Sequence, residues 1–260
     1  MARKLRLVFI LLCIYNLPGW TQSGSSGSFE KGLALEKEFK VEAALAQYEL
    51  TLKNDPAHVE ALIRASRMLC NIGGKLDRNH LNKKREYLEK GRKYAQQAIR
   101  LDARNVDARL AHIISLGLLS EIATNPRERV VDARLIHDEA KKMIEINPAY
   151  AEAYFVLGKW QYELSKLNWL ELMACKIIFG GFPEKISIEA SVNYFNKAIE
   201  FNPNSILFLY GQASAQYQLG ESEKAVTTLT KAISLPPAEP DDELRKGRCY
   251  ELLREISQSN

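Results

Sequence analysis

The feature that most constrains this chain is a pattern of small and large side chains that recurs five times along it. Each copy ends at a proline or at a residue in its place: Pro56, Ala103, Pro148, Pro203 and Pro237. The copy before Pro203 has the small residues Ser191 and Ala198 on either side of Phe195. Small residues let two antiparallel helices approach closely, large ones fill the space beyond them, and proline cannot continue a helix. Because one such pair cannot bury its apolar face alone, we expect several pairs to stack.

The spacing of these five end residues predicts the architecture. They lie 47, 45, 55 and 34 residues apart. Only the last spacing equals a bare helix-pair repeat of about 34 residues, so the earlier units carry insertions of roughly 13, 11 and 21 residues. The sequence therefore predicts an all-α fold, a right-handed α–α superhelix of about five helix pairs with insertions. One solenoid domain should cover residues 29–257, and a helix over residues 241–256 should cap its C-terminal end.

The longest insertion, residues 167–182, is itself apolar. Its spacing predicts a short helix with four large side chains along one side: Trp169, Leu170, Met173 and Ile177. In the favoured interpretation, this helix packs under the solenoid and covers the gap between Trp160 and Phe195. In the alternative interpretation, it is a docking patch for a partner or a membrane surface.

Residues 1–23 have the composition of a secretory signal peptide. A basic start with Arg3, Lys4 and Arg6 precedes an apolar stretch over residues 7–17, which is too short to span a bilayer comfortably. The alternative is an uncleaved N-terminal anchor. Residues 24–28 then read as a flexible leader. Cleavage would remove three positive charges and lower the net charge from +4 to +1, so the composition does not indicate nucleic-acid binding.

The residues that usually carry chemistry do not form a recognisable site. Cys70, Cys175 and Cys249 are far apart and lack CxxC spacing, which favours free structural cysteines over a disulfide framework. The four histidines do not have the spacing of metal ligands. The sequence contains no phosphate-binding glycine motif and no nucleophile motif. We therefore predict no catalytic residues, no metal, no cofactor and no small-molecule substrate: the chain is not an enzyme.

The inner surface of the predicted superhelix is the remaining place for a function. The first helix of each pair should line this concave groove, with aromatic and basic side chains interleaved along it. The candidate peptide-binding residues are Arg67, Phe155, Lys159, Tyr162, Tyr210 and Tyr217. Such a surface suits a peptide or helix laid along the groove. The alternative is a partly filled groove without a ligand.

Two resemblances accompany these predictions. Residues 29–237 resemble the tetratricopeptide repeat (TPR) family. Within them, residues 133–237 look like the regulator of microtubule dynamics family, through the motif LGKWQYE at 157–163, the tryptophan-containing insertion and the motif YFNKAIEFNP at 194–203. The first resemblance implies a helical repeat fold. The second implies association with microtubules or organelle membranes.

Together these observations predict an exported scaffold protein, periplasmic or secreted after cleavage of the signal. It should bind an unidentified protein or peptide partner through its concave groove, and it should contact a membrane only through its N-terminal segment. The alternative is a membrane-anchored, cytoskeleton-associated protein like the regulators of microtubule dynamics, held by an uncleaved N-terminus.

Overall fold

A computed structural model describes residues 23–182 and 184–259, and the predicted signal peptide at 1–23 lies almost wholly outside them. The first six helices are α1 (Ser23–Lys37), α2 (Val41–Asn54), α3 (Val59–Lys75), α4 (Leu81–Leu101), α5 (Val106–Ile122) and α6 (Pro126–Ile146). The next six are α7 (Ala151–Ser165), α8 (Trp169–Phe179), α9 (Ile188–Phe201), α10 (Ile206–Gln218), α11 (Ser222–Ser234) and α12 (Asp242–Ser259). A 3-10 turn, Arg78–His80, precedes α4. No strand occurs in the part of the chain that is described.

Ten of these helices form five packed pairs. The pairs are α1 with α2, α3 with α4, α5 with α6, α7 with α9, and α10 with α11. The structure therefore confirms the predicted all-α superhelix of five helix pairs, with α12 following the last pair. The insertions appear as the 3-10 turn with a long α4, as a long α6, and as α8 between the two members of the fourth pair.

The turns that end α2, α4 and α6 are each built by an Asp or Asn side chain. Asp55, Asp102 and Asn147 each donate their backbone N–H to the carbonyl four residues earlier, at 2.8 to 2.9 Å. In each case the side-chain Oδ1 accepts from the N–H two residues later, at 3.0 to 3.1 Å. This arrangement directs the chain into the next helix. It explains why Ala103 can replace proline at one position, because the preceding Asp102 already forms the turn.

Small residues set the distance between the two helices of a pair. In the fourth pair, the Ser191 hydroxyl of α9 donates to the carbonyl of Gly158 in α7 at 2.7 Å. A Cβ on Gly158 would lie 2.8 Å from the Phe195 ring, and one on Gly211 of the next pair would lie 2.9 Å from the same ring. Phe195 therefore fills the space between two successive pairs, and the glycines make that space.

The core runs along the solenoid as a series of neighbouring clusters. One cluster joins the first two pairs around Tyr48 and Leu62. A second joins α5, α6 and α7 around Met143 and Leu157. The last joins α10, α11 and α12 around Leu209. Each cluster contacts mainly its neighbours along the chain, as expected for a stack of repeats.

At three places the structure differs from what the local sequence favours, since glycine pairs and prolines often mark helix ends. Residues 24–28, predicted to be a flexible leader, lie in α1, where the Ser28 hydroxyl is 2.8 Å from that of Thr51. Helix α3 does not stop at Gly73-Gly74 but continues to Lys75, because Gly73 faces α4 at close range. Pro126 begins α6 rather than ending α5, since proline is tolerated in a first turn.

We expect two glycine substitutions to change stability in opposite directions. Gly158→Ala places its methyl group against the Phe195 ring, so overpacking should lower the free energy of unfolding by about 1–3 kcal/mol. Gly117→Ala is the matched control in α5, where a Cβ meets nothing within 4 Å. There the better helix propensity of alanine should raise the free energy of unfolding by about 0.5–1 kcal/mol.

Urea denaturation of both variants and the wild-type protein measures these changes. Equal effects of the two substitutions would contradict the close approach of α7 and α9.

Candidate protein-binding groove

The first helices of the second, fourth and fifth pairs, α3, α7 and α10, carry the residues predicted for the groove. Arg67 in α3 and Lys159 in α7 are exposed. The four aromatic candidates are all half-buried: Phe155, Tyr162, Tyr210 and Tyr217. The two cations are therefore open to a partner, whereas each ring has part of its surface packed against the protein.

Phe155 takes part in packing between the fourth and fifth pairs. Its ring stacks on Phe208 of α10, with centroids 4.9 Å apart, and lies 5.6 Å from the ring of Phe195. A Cβ on Gly211 would come within 3.2 Å of it. Much of this ring is thus packed in the interface between repeats.

Tyr162 and the two α10 tyrosines have different neighbours. The Lys166 ammonium lies 4.8 Å from the centroid of the Tyr162 ring, in a cation–π contact. Burial raises the pKa of Tyr162, and the carboxylates of Glu163 and Glu255 act in the same direction. Tyr210 and Tyr217 pack against the last core cluster, which includes residues of α12. The C-terminal helix therefore lies beside the aromatic side chains of the groove.

A polar cluster near the middle of the groove was missed by the sequence analysis. The Tyr150 hydroxyl donates to Asp107 Oδ1 at 2.6 Å and so ties the start of α7 to the start of α5. Burial and this hydrogen bond raise the pKa of Tyr150, and the guanidinium of Arg67 opposes the shift. Burial also raises the pKa of Glu152, which the carboxylates of Asp107 and Glu239 increase further. The hydrogen bond between Tyr150 and Asp107 thus joins the first helices of the third and fourth pairs.

The sequence contains only a weak indication of this contact. Tyr150 and Asp107 sit near the starts of two first helices, 43 residues apart in the chain. Their contact depends on the curvature of the superhelix, which the spacing of the repeats does not determine.

The segment between α11 and α12 contacts the end of α3. The Asn71 side-chain amide donates to Asp241 Oδ2 at 3.2 Å, and the Lys75 ammonium lies 3.3 Å from Asp241 Oδ1. The first of these contacts joins residues 170 positions apart. The C-terminal cap predicted from the sequence therefore covers the last pair and also touches the second pair.

The favoured interpretation of the insertion is wrong in one respect. The side of α8 that was predicted to pack under the solenoid is exposed, with Trp169 at 71% and Ile177 at 77% relative exposure. Cover for Trp160 comes instead from Cys175 and from the segments flanking the helix, through Leu167 and other apolar residues. An 11-residue helix held at both ends can present only one narrow face to the solenoid, so its longest side chains point outward.

The connection after α8 is fixed by a buried histidine. His137 of α6 packs on the Trp160 ring, with centroids 4.7 Å apart, and its Nε2 lies 3.2 Å from Glu184 Oε1. The Tyr194 hydroxyl donates to the other oxygen of Glu184 at 2.9 Å. These contacts show that His137 helps to hold the fold together. They also fix the segment that leads from α8 to α9.

The cysteine side chains elsewhere in the fold are part of the helix packing. Cys70, Cys175 and Cys249 are free thiols, as predicted. Burial raises the pKa of Cys70 to about 12 and that of Cys249 to about 11, so both thiols stay protonated at neutral pH and are poor nucleophiles.

Within residues 23–182 and 184–259, no group of three or more His, Cys, Asp or Glu residues could hold a metal ion. The same residues contain no helix long and apolar enough to cross a membrane.

Comparison with known sequences identifies a family. The sequence model of regulator of microtubule dynamics protein 1-3 matches residues 29–257. The chain is 25% identical over 224 residues to regulator of microtubule dynamics protein 1 of Bos taurus, covering 85% of this chain and 68% of that protein. It is 26% identical over 189 residues to regulator of microtubule dynamics protein 3 of Xenopus laevis, covering 71% of this chain and 39% of that protein.

Comparison with solved structures supports the fold. The crystal structure of a thermophilic TPR protein from Thermus thermophilus superimposes with a TM-score of 0.63 at 14% sequence identity. The match covers 87% of this chain and 99% of that protein. At this level of identity the similarity shows a shared TPR architecture and carries no information about ligands.

Substitutions in α8 test the exposed placement of its apolar side. Because Ile177 faces solvent, Ile177→Lys should change the free energy of unfolding by no more than about 0.5 kcal/mol. For comparison, Leu164→Ala truncates a buried residue of α7 and should lower the free energy of unfolding by about 2–5 kcal/mol.

Chemical denaturation followed by circular dichroism gives both values. A loss of several kcal/mol for Ile177→Lys would show that this side of α8 is buried.

Proposed function

The chain belongs to the regulator of microtubule dynamics protein 1-3 family, and from this premise we propose that it is a scaffold that binds a protein partner through its concave groove. Binding is by docking of surfaces and involves no bond chemistry. The observation that carries the proposal is the combination of exposed cations on α3 and α7 with half-buried aromatic side chains on α7 and α10. Arg67, Lys159 and Tyr162 are the main members of this set.

The chemistry of these side chains suits a peptide or helix with both acidic and apolar residues. Exposed Arg and Lys can pair with carboxylates, and a guanidinium can bind one in a bidentate manner. Partly buried tyrosines offer a large apolar area at a small cost in conformational entropy, which is why aromatic residues dominate many interfaces. The mixed surface therefore favours a protein ligand over a small molecule.

The relatives motivate a second candidate function. They are named as regulators of microtubule dynamics, so a role as a cytoskeleton-associated protein, held at a membrane by its N-terminal segment, is the alternative proposal. The apolar stretch at residues 7–17 favours either such an anchor or the export signal of the main proposal. Mass spectrometry of the N-terminus of the protein from its native cells distinguishes them, because an exported protein should begin near residue 24.

Groove variants test the main proposal. Affinity capture from native extracts, quantified by isotope-labelled mass spectrometry, should identify a partner that then binds the purified wild-type protein directly. Tyr162→Ala should weaken that binding by about 30-fold, because an aromatic hot spot contributes about 2 kcal/mol. Arg67→Glu should also weaken it and make the remaining binding less dependent on salt.

The matched controls carry the same changes outside the groove. Trp169→Ala removes an exposed aromatic side chain and Lys176→Glu reverses a charge, both in α8. Circular dichroism and melting temperature should be close to wild type for all four variants. Binding that survives in the groove variants and is lost in the α8 variants would move the interaction site to α8 and refute the proposal.

A further inference from the structure

The connection between α11 and α12 makes contacts that a simple end cap does not need. Asp241 accepts a hydrogen bond from Asn71 at 3.2 Å and forms an ion pair with Lys75 at 3.3 Å, both at the C-terminal end of α3. Helix α3 belongs to the second pair, whereas α12 packs on the fifth pair through α10 and α11. The segment therefore joins the fifth pair to the second pair.

The turn that presents Asp241 is held by its neighbour. The carboxylate of Asp242 accepts from the backbone N–H groups of Ala238 and Glu239, at 2.9 and 2.8 Å. Its other oxygen accepts from Arg245 at 2.7 Å, and Arg245 also pairs with Glu239. These bonds make a compact turn, so Asp241 is presented to α3 by an ordered structure rather than by a loose loop.

Helix α12 continues from this turn and packs on α10, the helix that carries Tyr210 and Tyr217. Cys249 and Ile256 are fully buried, and they share one cluster with Tyr210 and Tyr217 of α10. The acidic turn thus meets the cationic end of α3, and the apolar side of α12 meets the tyrosines that the sequence predicted for a partner.

We propose that the segment over residues 236–259 is a built-in ligand of the groove, and that the protein partner is an amphipathic helix with an acidic residue at its N-terminal end that displaces this segment. This inference rests on the proposed function and adds to it the regulation and the kind of partner. The partner's acidic residue takes the place of Asp241 at Asn71 and Lys75. Its apolar residues take the places of Cys249 and Ile256.

The ion pair that holds the start of the segment is weak enough for a partner to replace it. The Lys75 and Asp241 side chains are 55% and 31% exposed, and ion pairs with this exposure are weak and sensitive to salt. A tethered segment nevertheless competes strongly, because a short linker gives an effective concentration on the order of millimolar. The segment therefore covers the part of the groove at Lys75 and the α10 tyrosines, and it gives way to a partner that binds more tightly than the tethered segment.

The probe for a test is a fluorescent synthetic peptide with the sequence of residues 236–259, added to the full chain. Wild-type protein should bind this peptide weakly, because its own segment occupies the groove. Asp241→Lys repels Lys75 and should increase the affinity for the peptide at least tenfold. The matched control is Glu243→Lys, which makes the same charge change at an exposed position of the first turn of α12 and should leave the affinity at the wild-type value.

Hydrogen exchange provides a second measurement that needs no ligand. Asp241→Lys should accelerate exchange in residues 242–259 at least tenfold, with little change in α1 to α6. Adding Lys75→Glu to this variant restores an ion pair of reversed polarity and should return the exchange of α12 towards the wild-type rate. Glu243→Lys should exchange like the wild type.

Three outcomes would overturn the proposal. One is unchanged peptide affinity and unchanged exchange in Asp241→Lys. Another is accelerated exchange throughout the chain, because α12 would then be an inseparable part of the fold. The third is a dimer seen by sedimentation in which α12 stays protected, because the groove would then accept a second copy of this chain. None of these measurements depends on partner capture, so a failure here is separate from a failure of the proposed function.

Discussion

The close approach of two helices within each pair is the constraint on which the rest of the structure depends. Where Gly158 and Ser191 bring α7 and α9 together, the Phe195 ring extends beyond the pair and meets Gly211 of the next one. Each pair is thereby bound to its neighbour, and the buried surface extends along the whole solenoid without a single central core. The curvature that follows places the first helices side by side along one groove.

Much of the fold could be predicted from the sequence, because the spacing of small and large residues depends on packing within each helix pair. The small and large positions around Phe195 gave the number of pairs, and the uneven spacing of the end residues located the insertions. The Asx turns at Asp55, Asp102 and Asn147 were not recognised, although they explain why one copy lacks proline. Their signal is a single polar residue per repeat, which is easily overlooked beside the apolar pattern.

The groove was less predictable, because it depends on contacts between distant repeats. Counting helical faces placed Arg67 and Lys159 on exposed surface, but it did not show that Phe155 is largely engaged by Phe195 and Phe208. It also could not bring Asp241 next to Lys75, since this contact depends on the accumulated curvature of four pairs. The exposed side of α8 is as apolar as a buried helix side, so its composition alone could not show that it faces solvent.

The central claim is that a protein partner occupies the concave groove, and the most direct test is site-specific photo-crosslinking in the native cells. A photoreactive amino acid in place of Arg67 or Lys159 should form an adduct with one partner protein on irradiation, because both side chains are exposed on first helices. The same amino acid in place of Trp169, on the outer side of α8, should give none. Adducts at position 169 together with none at positions 67 and 159 would contradict the account.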